Sequence, residues 1–169
     1  LSNDDDVTVT TYRGLDDLFT DATGDGFIAG GSQRVDARWG QNFVEEVKGK
    51  IVDGVLTTEP VKVARIPWAM RFVGYYDVLD FQLQLKLTPE SAEGIFAGYV
   101  NAEQWTNRLN RNWGSHHQSY GTVSSASEYR AMRRLADAYP DPETGANTAI
   151  SGAAAIELTQ VYILHPSEQ

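Results

Sequence analysis

The segment from Asp21 to Gly26 has the residue types and the spacing of a cation-binding loop. Asp21, Thr23 and Asp25 offer side-chain oxygens at alternate positions, and Gly26 permits the sharp turn that such a loop needs. Hard oxygen ligands suit calcium, so the pattern makes calcium the one candidate cofactor and these three residues its ligands. The EF-hand pattern then fails, because Ser32 stands where a bidentate glutamate is required. The competing hypothesis is a solvated turn with no cofactor.

A second candidate site lies in residues 101–120, where indole rings alternate with amides and guanidinium groups. A core segment seldom accommodates so many polar donors and acceptors, and exposed tryptophans anchor protein interfaces or stack on sugars. We therefore predict a binding surface here, for a protein partner or for self-assembly, with a glycan as the alternative ligand. The competing interpretation is a long loop whose tryptophans fix it onto the sheet. The predicted members of the surface are Trp105, Asn107, Arg108, Arg111, Trp113, His116, His117 and Tyr120.

The sequence contains no pattern that assigns a catalytic residue. His116 and His117 are adjacent, and neighbouring side chains on a strand point in opposite directions, so both seldom bind one metal. Zinc sites need three or four ligands, and neither His-x-His nor His-Glu-x-x-His occurs. Nucleophile motifs and phosphate-binding glycine loops are missing too. A small hydrolase or lyase that uses one of these histidines stays as an alternative.

Charge and cysteine content narrow the class of protein. Lys and Arg number 14 against 23 Asp and Glu, so the formal charge of −9 disfavours nucleic acid and anionic membranes as partners. The absence of cysteine excludes disulfides and thiolate metal sites. No apolar run is long enough for a transmembrane helix. The Asp-, Thr-, Gly- and Tyr-rich composition and a first residue other than Met predict an exported protein, periplasmic or extracellular, or a piece of a longer chain.

Residues 79–87 give the clearest structural pattern in the chain. Five apolar side chains alternate with Asp80, Gln82, Gln84 and Lys86, which predicts a strand with one buried and one wet face. About eight such strands are predicted, together with one amphipathic helix over about 126–139 that begins with a capping box. The expected fold is one mainly β domain over 1–169 with a flexible segment at 1–6. Its expected architecture is an antiparallel two-layer sandwich or jelly-roll, with a partly closed barrel as the alternative.

Together these patterns favour a non-enzymatic, exported β module that serves protein–protein interaction or assembly in a larger complex. A carbohydrate-binding module with a structural calcium ion is the first alternative. The small histidine-dependent hydrolase or lyase is the second.

Overall fold

The chain is mainly β, as the sequence predicted. A computed structural model describes residues 2–38, 45–67, 75–107 and 125–166. Residues 102–107 form helix α1, and Ser125–Leu135 forms helix α2. The strands are β1 (Asp4–Thr11), β2 (Gly31–Arg34), β3 (Glu45–Val52), β4 (Val55–Thr58), β5 (Val61–Pro67), β6 (Tyr75–Leu87), β7 (Ser91–Asn101), β8 (Ala138–Pro140), β9 (Asn147–Thr159) and β10 (Val161–Leu164).

Eight of these strands pair in one sheet. Seven follow the order β1-β3-β4-β6-β7-β9-β8, and β5 pairs with β6 beside this path. The pairs β1–β3, β3–β4, β4–β6 and β8–β9 are antiparallel. The remaining two strands, β2 and β10, form a small parallel sheet. The mainly antiparallel β class is thus confirmed, whereas the two-layer sandwich or jelly-roll arrangement stays a prediction.

The β3–β4 hairpin has the turn that its sequence predicts. Asp53 and Gly54 both have a positive φ, 51° and 77°, and Val52 lies opposite Val55. A two-residue turn with positive φ at both central positions matches the twist of the flanking strands, and an Asp-Gly pair favours it.

The chain divides into two compact units, and the first contains Leu1–Val61, Gln82–Phe96 and Ala154–Gln169. Its core is built on Leu56, Leu85 and Ala92, all buried. The alternation predicted for β6 holds here, because Leu85 is buried while its neighbours Gln84 and Lys86 are exposed. Five partly buried apolar side chains pack against this core, namely Val7, Val9, Ile51, Leu87 and Ile156.

The second unit contains Lys62–Phe81 and Ala97–Ala153. Helix α2 begins at Ser125, as the capping box predicted, but it ends at Leu135 and not near Tyr139. The helix stops early because the backbone N–H of Asp137 donates to the carbonyl of Ala149, which draws the chain into β8. The predicted extent of 126–139 is therefore too long.

Two strand boundaries also differ from the prediction. Strand β1 begins at Asp4, which lies opposite Ile51, so part of the segment predicted as flexible is a strand. The apolar residues of 153–164 predict one final strand, but the chain is divided at Gln160 into β9 and β10, which pair with different partners.

Candidate functional site

The described part of the predicted binding segment is used for packing within the second unit. The ring of Trp105 stacks on that of Tyr76, with centroids 4.8 Å apart and planes at 28°, and Trp105 is half-buried. The side chain of Asn101 accepts hydrogen bonds from the backbone N–H groups of Glu103 and Gln104, both at 3.0 Å, and so caps α1.

The amide of Gln104 also has an internal partner, because its nitrogen donates to Oδ2 of Asp77 at 2.5 Å. Of the predicted surface residues in the described part, only Asn107 is exposed. The other predicted members lie outside the described residues, and their role stays a prediction: Arg108, Arg111, Trp113, His116, His117 and Tyr120.

The predicted calcium loop is the tip of a short β-hairpin. Thr20 pairs with Phe27, the N–H of Ile28 donates to the carbonyl of Phe19 at 2.9 Å, and the N–H of Asp21 donates to the carbonyl of Gly26 at 2.8 Å. The sequence did not predict this hairpin, because the glycine-rich segment lacks the alternation that marks a strand.

At the tip, one carboxylate oxygen of Asp21 organises the turn. Its Oδ1 accepts from the N–H of Thr23 at 2.9 Å, from the hydroxyl of Thr23 and from the N–H of Gly24 at 3.1 Å. These hydrogen bonds, the Thr23 hydroxyl first, lower the pKa of Asp21. A Cβ at the position of Gly26 would lie 2.7 Å from Oδ2 of Asp21, so a larger residue there would displace this carboxylate.

Asp21, Thr23 and Asp25 are thus brought together, but the contacts seen are those of a turn. In the described ranges no group of three or more metal-binding side chains could hold a metal ion. Calcium at this loop stays a prediction. A similar turn follows β8, where Oδ1 of Asp141 accepts from the N–H and hydroxyl of Thr144 at 2.8 and 2.9 Å.

The hairpin presents an apolar surface that the sequence did not reveal. Because Thr20 lies opposite Phe27, Phe19 lies opposite Ile28, and directly opposed residues share one face of an antiparallel pair. Phe19 is 61% exposed and Ile28 is 49% exposed. The Phe19 ring lies on Gly31 of β2, where a Cβ would come within 2.8 Å of it.

The small parallel sheet lies next to this surface, because Gly31 belongs to it. Gly31 lies opposite Val161 in β10, and Ile163, 45% exposed, lies two residues further on the same face. Leu18 and Ile163 both line a cavity of about 340 Å³ beside the hairpin. We call Phe19 and Ile28, together with Leu18 and Ile163 at the neighbouring cavity, the hairpin face.

The base of the hairpin is fixed to β2. The N–H of Leu15 donates to the carbonyl of Arg34 at 2.9 Å, and the Arg34 guanidinium binds both carboxylate oxygens of Asp16, its Nε lying 3.0 Å from Oδ2. Hydrogen bonds from the side chain and backbone of Arg34 lower the pKa of Asp16 to about 2. A backbone hydrogen bond and an ion pair thus join the base of the hairpin to β2.

A buried carboxylate reinforces the attachment. The side chain of Asp36 is 1% exposed and lies between two guanidinium groups, with Arg38 Nε at 2.8 Å and Arg13 Nε at 3.4 Å. The backbone N–H of Asp36 donates to the carbonyl of Arg13 at 2.9 Å. The hydrogen bond from Arg38 is the first cause that lowers the pKa of Asp36.

The hairpin segment is acidic. Residues 14–31 contain four aspartates and no Lys, Arg or His. Asp16 is paired with Arg34, while Asp17, Asp21 and Asp25 are exposed. Arg13 and Arg34 also line the cavity beside Leu18 and Ile163, but each is paired with an aspartate. The excess charge of the hairpin segment therefore comes from Asp17, Asp21 and Asp25, which we call the rim.

The chain matches no protein-family model, no curated protein and no solved structure. Within the described residues, no helix combines the length and the apolar character that crossing a membrane requires. Any functional assignment therefore depends on the geometry of the chain itself.

Proposed function

We propose that this chain is a non-enzymatic protein-interaction module that binds its partner through the hairpin face. The observation that carries the proposal is the concentration of exposed apolar side chains around the hairpin. Phe19 is 61% exposed and Ile28 is 49% exposed on one face of the hairpin, and the exposed side chains of Leu18 and Ile163 lie at the cavity beside it. Single exposed apolar residues are ordinary, but a contiguous group with a polar rim is typical of an interaction site.

The charge of the rim defines the chemistry of the partner. Asp17, Asp21 and Asp25 would attract a protein surface on which Lys or Arg surrounds an apolar centre. An anionic membrane would be repelled. The hairpin face of a second copy would be repelled as well, because it carries the same aspartates. The occupant that fits is a different protein with a cationic, apolar surface.

The wider role proposed from the sequence is kept as part of this proposal. In this role the chain is an exported module, periplasmic or extracellular, that acts in interaction or assembly. The support for this role is the amino-acid composition of the chain. No contact among the described residues favours the glycan-binding or the histidine-dependent alternative over this one.

The proposal can be tested with defined peptides. We would titrate the chain with three synthetic peptides of equal length: an amphipathic Lys/Leu helix, an amphipathic Glu/Leu helix and a Lys/Ser peptide with the positions of lysine unchanged. The Lys/Leu peptide should bind most tightly, because it alone offers both positive charge and an apolar face. The Glu/Leu peptide should not bind, and the Lys/Ser peptide should bind weakly and lose affinity with added salt.

Matched variants locate the binding. Phe19→Ser and Ile28→Ser remove exposed apolar groups from the hairpin face, and each should weaken Lys/Leu binding about tenfold, which corresponds to about 1.4 kcal/mol. Leu135→Ser removes an equally apolar side chain that is 68% exposed in the other unit, and it should leave the affinity unchanged. Equal affinities for the Phe19→Ser and Leu135→Ser variants would refute the proposal.

A further inference from the structure

Among the described residues, strand β9 has an outer edge that is only partly paired. The short strand β8 pairs with it at two positions near its start, Ala138 with Ala149 and Pro140 with Asn147. The later part of β9, Ala154–Thr159, belongs to the first unit and lies beyond these positions. No strand of the described ranges pairs with the outer edge of this later part.

The direction of the free backbone groups follows from one hydrogen bond. The N–H of Gln160 donates to the carbonyl of Glu90, directly before β7, at 2.8 Å. Because the N–H and C=O groups of alternate residues point to opposite sides of a strand, even-numbered residues point towards β7. The N–H and C=O groups of Ala155, Glu157 and Thr159 therefore point outward along the open edge.

This edge has few of the features that usually prevent strand addition. Proteins protect open edges with charged side chains, proline or short strands. Strand β1, at the other end of the strand order, begins with three consecutive aspartates, Asp4 to Asp6. In Ala154–Thr159 the only charged residue is Glu157, and there is no lysine or proline.

The side chains beside the open edge also indicate a missing neighbour. Ile156 packs against the core of the first unit. Leu158 lies on the same face of the strand, two residues along, but is 45% exposed. A further strand along β9 would bury Leu158 beside this core.

We propose that the neighbour is β9 of a second copy, added antiparallel about a two-fold axis at Ile156. In this register Ile156 lies opposite Ile156 of the second copy. Ala154 lies opposite Leu158 of that copy, and Ala155 lies opposite its Glu157. Each large side chain except the central one faces an alanine, and no two carboxylates lie directly opposite each other. The pairing is self-complementary, as a two-fold interface must be, and the outward groups of Ala155 and Glu157 meet as a hydrogen-bonded pair.

The mass in solution tests the proposal by sedimentation equilibrium over a concentration series. The wild-type chain should form a dimer that strengthens as salt is added, because the −9 charge of each copy is then screened. Ala155→Glu would place a carboxylate opposite Glu157, so this variant should be monomeric. Ala155→Lys would place an ammonium group there and should preserve or strengthen the dimer. The double variant Ala155→Glu with Glu157→Lys restores opposite charges and should recover the dimer.

A wild-type chain that stays monomeric at every concentration would overturn the proposal, even if it bound a synthetic strand peptide. Equal dimerisation of the Ala155→Glu and Ala155→Lys variants would overturn it as well, because the register predicts opposite effects. The Phe19→Ser variant should dimerise like the wild type, which separates this edge from the hairpin face. Loss of the dimer in that variant would move the contact to the hairpin and refute the edge.

Discussion

The phenol of Tyr139 donates a hydrogen bond to Oδ2 of Asp80 over 2.7 Å, and both residues have a positive φ, 56° and 47°. Positive φ is uncommon outside glycine. At Asp80 it changes the phase of β6, so that Val78 and Phe81, three residues apart, are both buried. The ring of Tyr99 packs edge-on against Tyr139, with centroids 5.6 Å apart. The hydrogen bond thus connects two unusual backbone positions within the second unit.

Removing the phenol hydroxyl should destabilise this unit. We expect Tyr139→Phe to lower the free energy of unfolding by about 1 kcal/mol, the usual contribution of one hydrogen bond. Asp80→Asn is the control and should cost less, because asparagine accepts the same bond and tolerates the left-handed conformation. Urea unfolding measures both. If Tyr139→Phe had the same unfolding free energy as the wild type, the hydrogen bond would not stabilise the fold.

Alkaline pH should weaken the same contact. The hydrogen bond to the Asp80 carboxylate raises the pKa of Tyr139 to about 12 from an ordinary value of 10.0. Because the folded-state pKa is the higher one, this stabilisation is complete below pH 10 and is lost as the pH rises towards 12. Unfolding free energies between pH 9 and about 12 should therefore fall more steeply for the wild type than for Tyr139→Phe. Parallel curves would contradict this assignment.

Acid should loosen the base of the hairpin. The pKa of Asp16 is lowered to about 2 from 3.8 by Arg34, so the stabilisation is complete above pH 3.8 and is lost as the pH falls towards 2. Asp16→Asn should produce the same loosening at neutral pH. Amide hydrogen exchange at Leu15, whose N–H binds the Arg34 carbonyl, reports it directly. Unchanged exchange at Leu15 in Asp16→Asn would show that the ion pair does not fix the hairpin.

Because Trp105 stacks on Tyr76, its role in packing can be tested by substitution. Trp105→Ala should lower the unfolding free energy by about 3 kcal/mol, as expected for removal of a large packed ring. Asn107→Ala, at an exposed position of the same helix, should change it by less than about 0.5 kcal/mol. Equal stabilities of the two variants would contradict the packing role of Trp105 and favour the binding role that the sequence predicted.

The sequence predicted the elements whose determinants are local. The alternation around Leu85, the Asp53-Gly54 turn and the start of α2 at Ser125 each depend on neighbouring residues. The end of α2 was missed because it depends on Ala149, which is distant in the sequence. The division at Gln160 depends likewise on pairing with distant strands.

The candidate site was harder to predict for the same reason. The Asp21 loop was identified as a turn or cation loop from its spacing, but its role in presenting Phe19 and Ile28 required the hairpin pairing. Residues 19–28 show no alternation of apolar and polar side chains. The sequence therefore showed no sign of strands there or of a shared apolar face. In the sequence, the amides beside Trp105 looked available for an external ligand. In the folded chain they make capping and internal hydrogen bonds instead, and these partners could not be seen from the sequence.

Backbone chemical-shift mapping with the Lys/Leu peptide tests the central claim most directly. The hairpin face predicts shift changes concentrated in residues 14–31 and 161–164, which saturate with the binding curve and weaken in Phe19→Ser. The amides around Leu135 should not change. Shift changes spread evenly over all acidic residues, or retained in full by Phe19→Ser, would contradict the claim that this apolar face binds the partner.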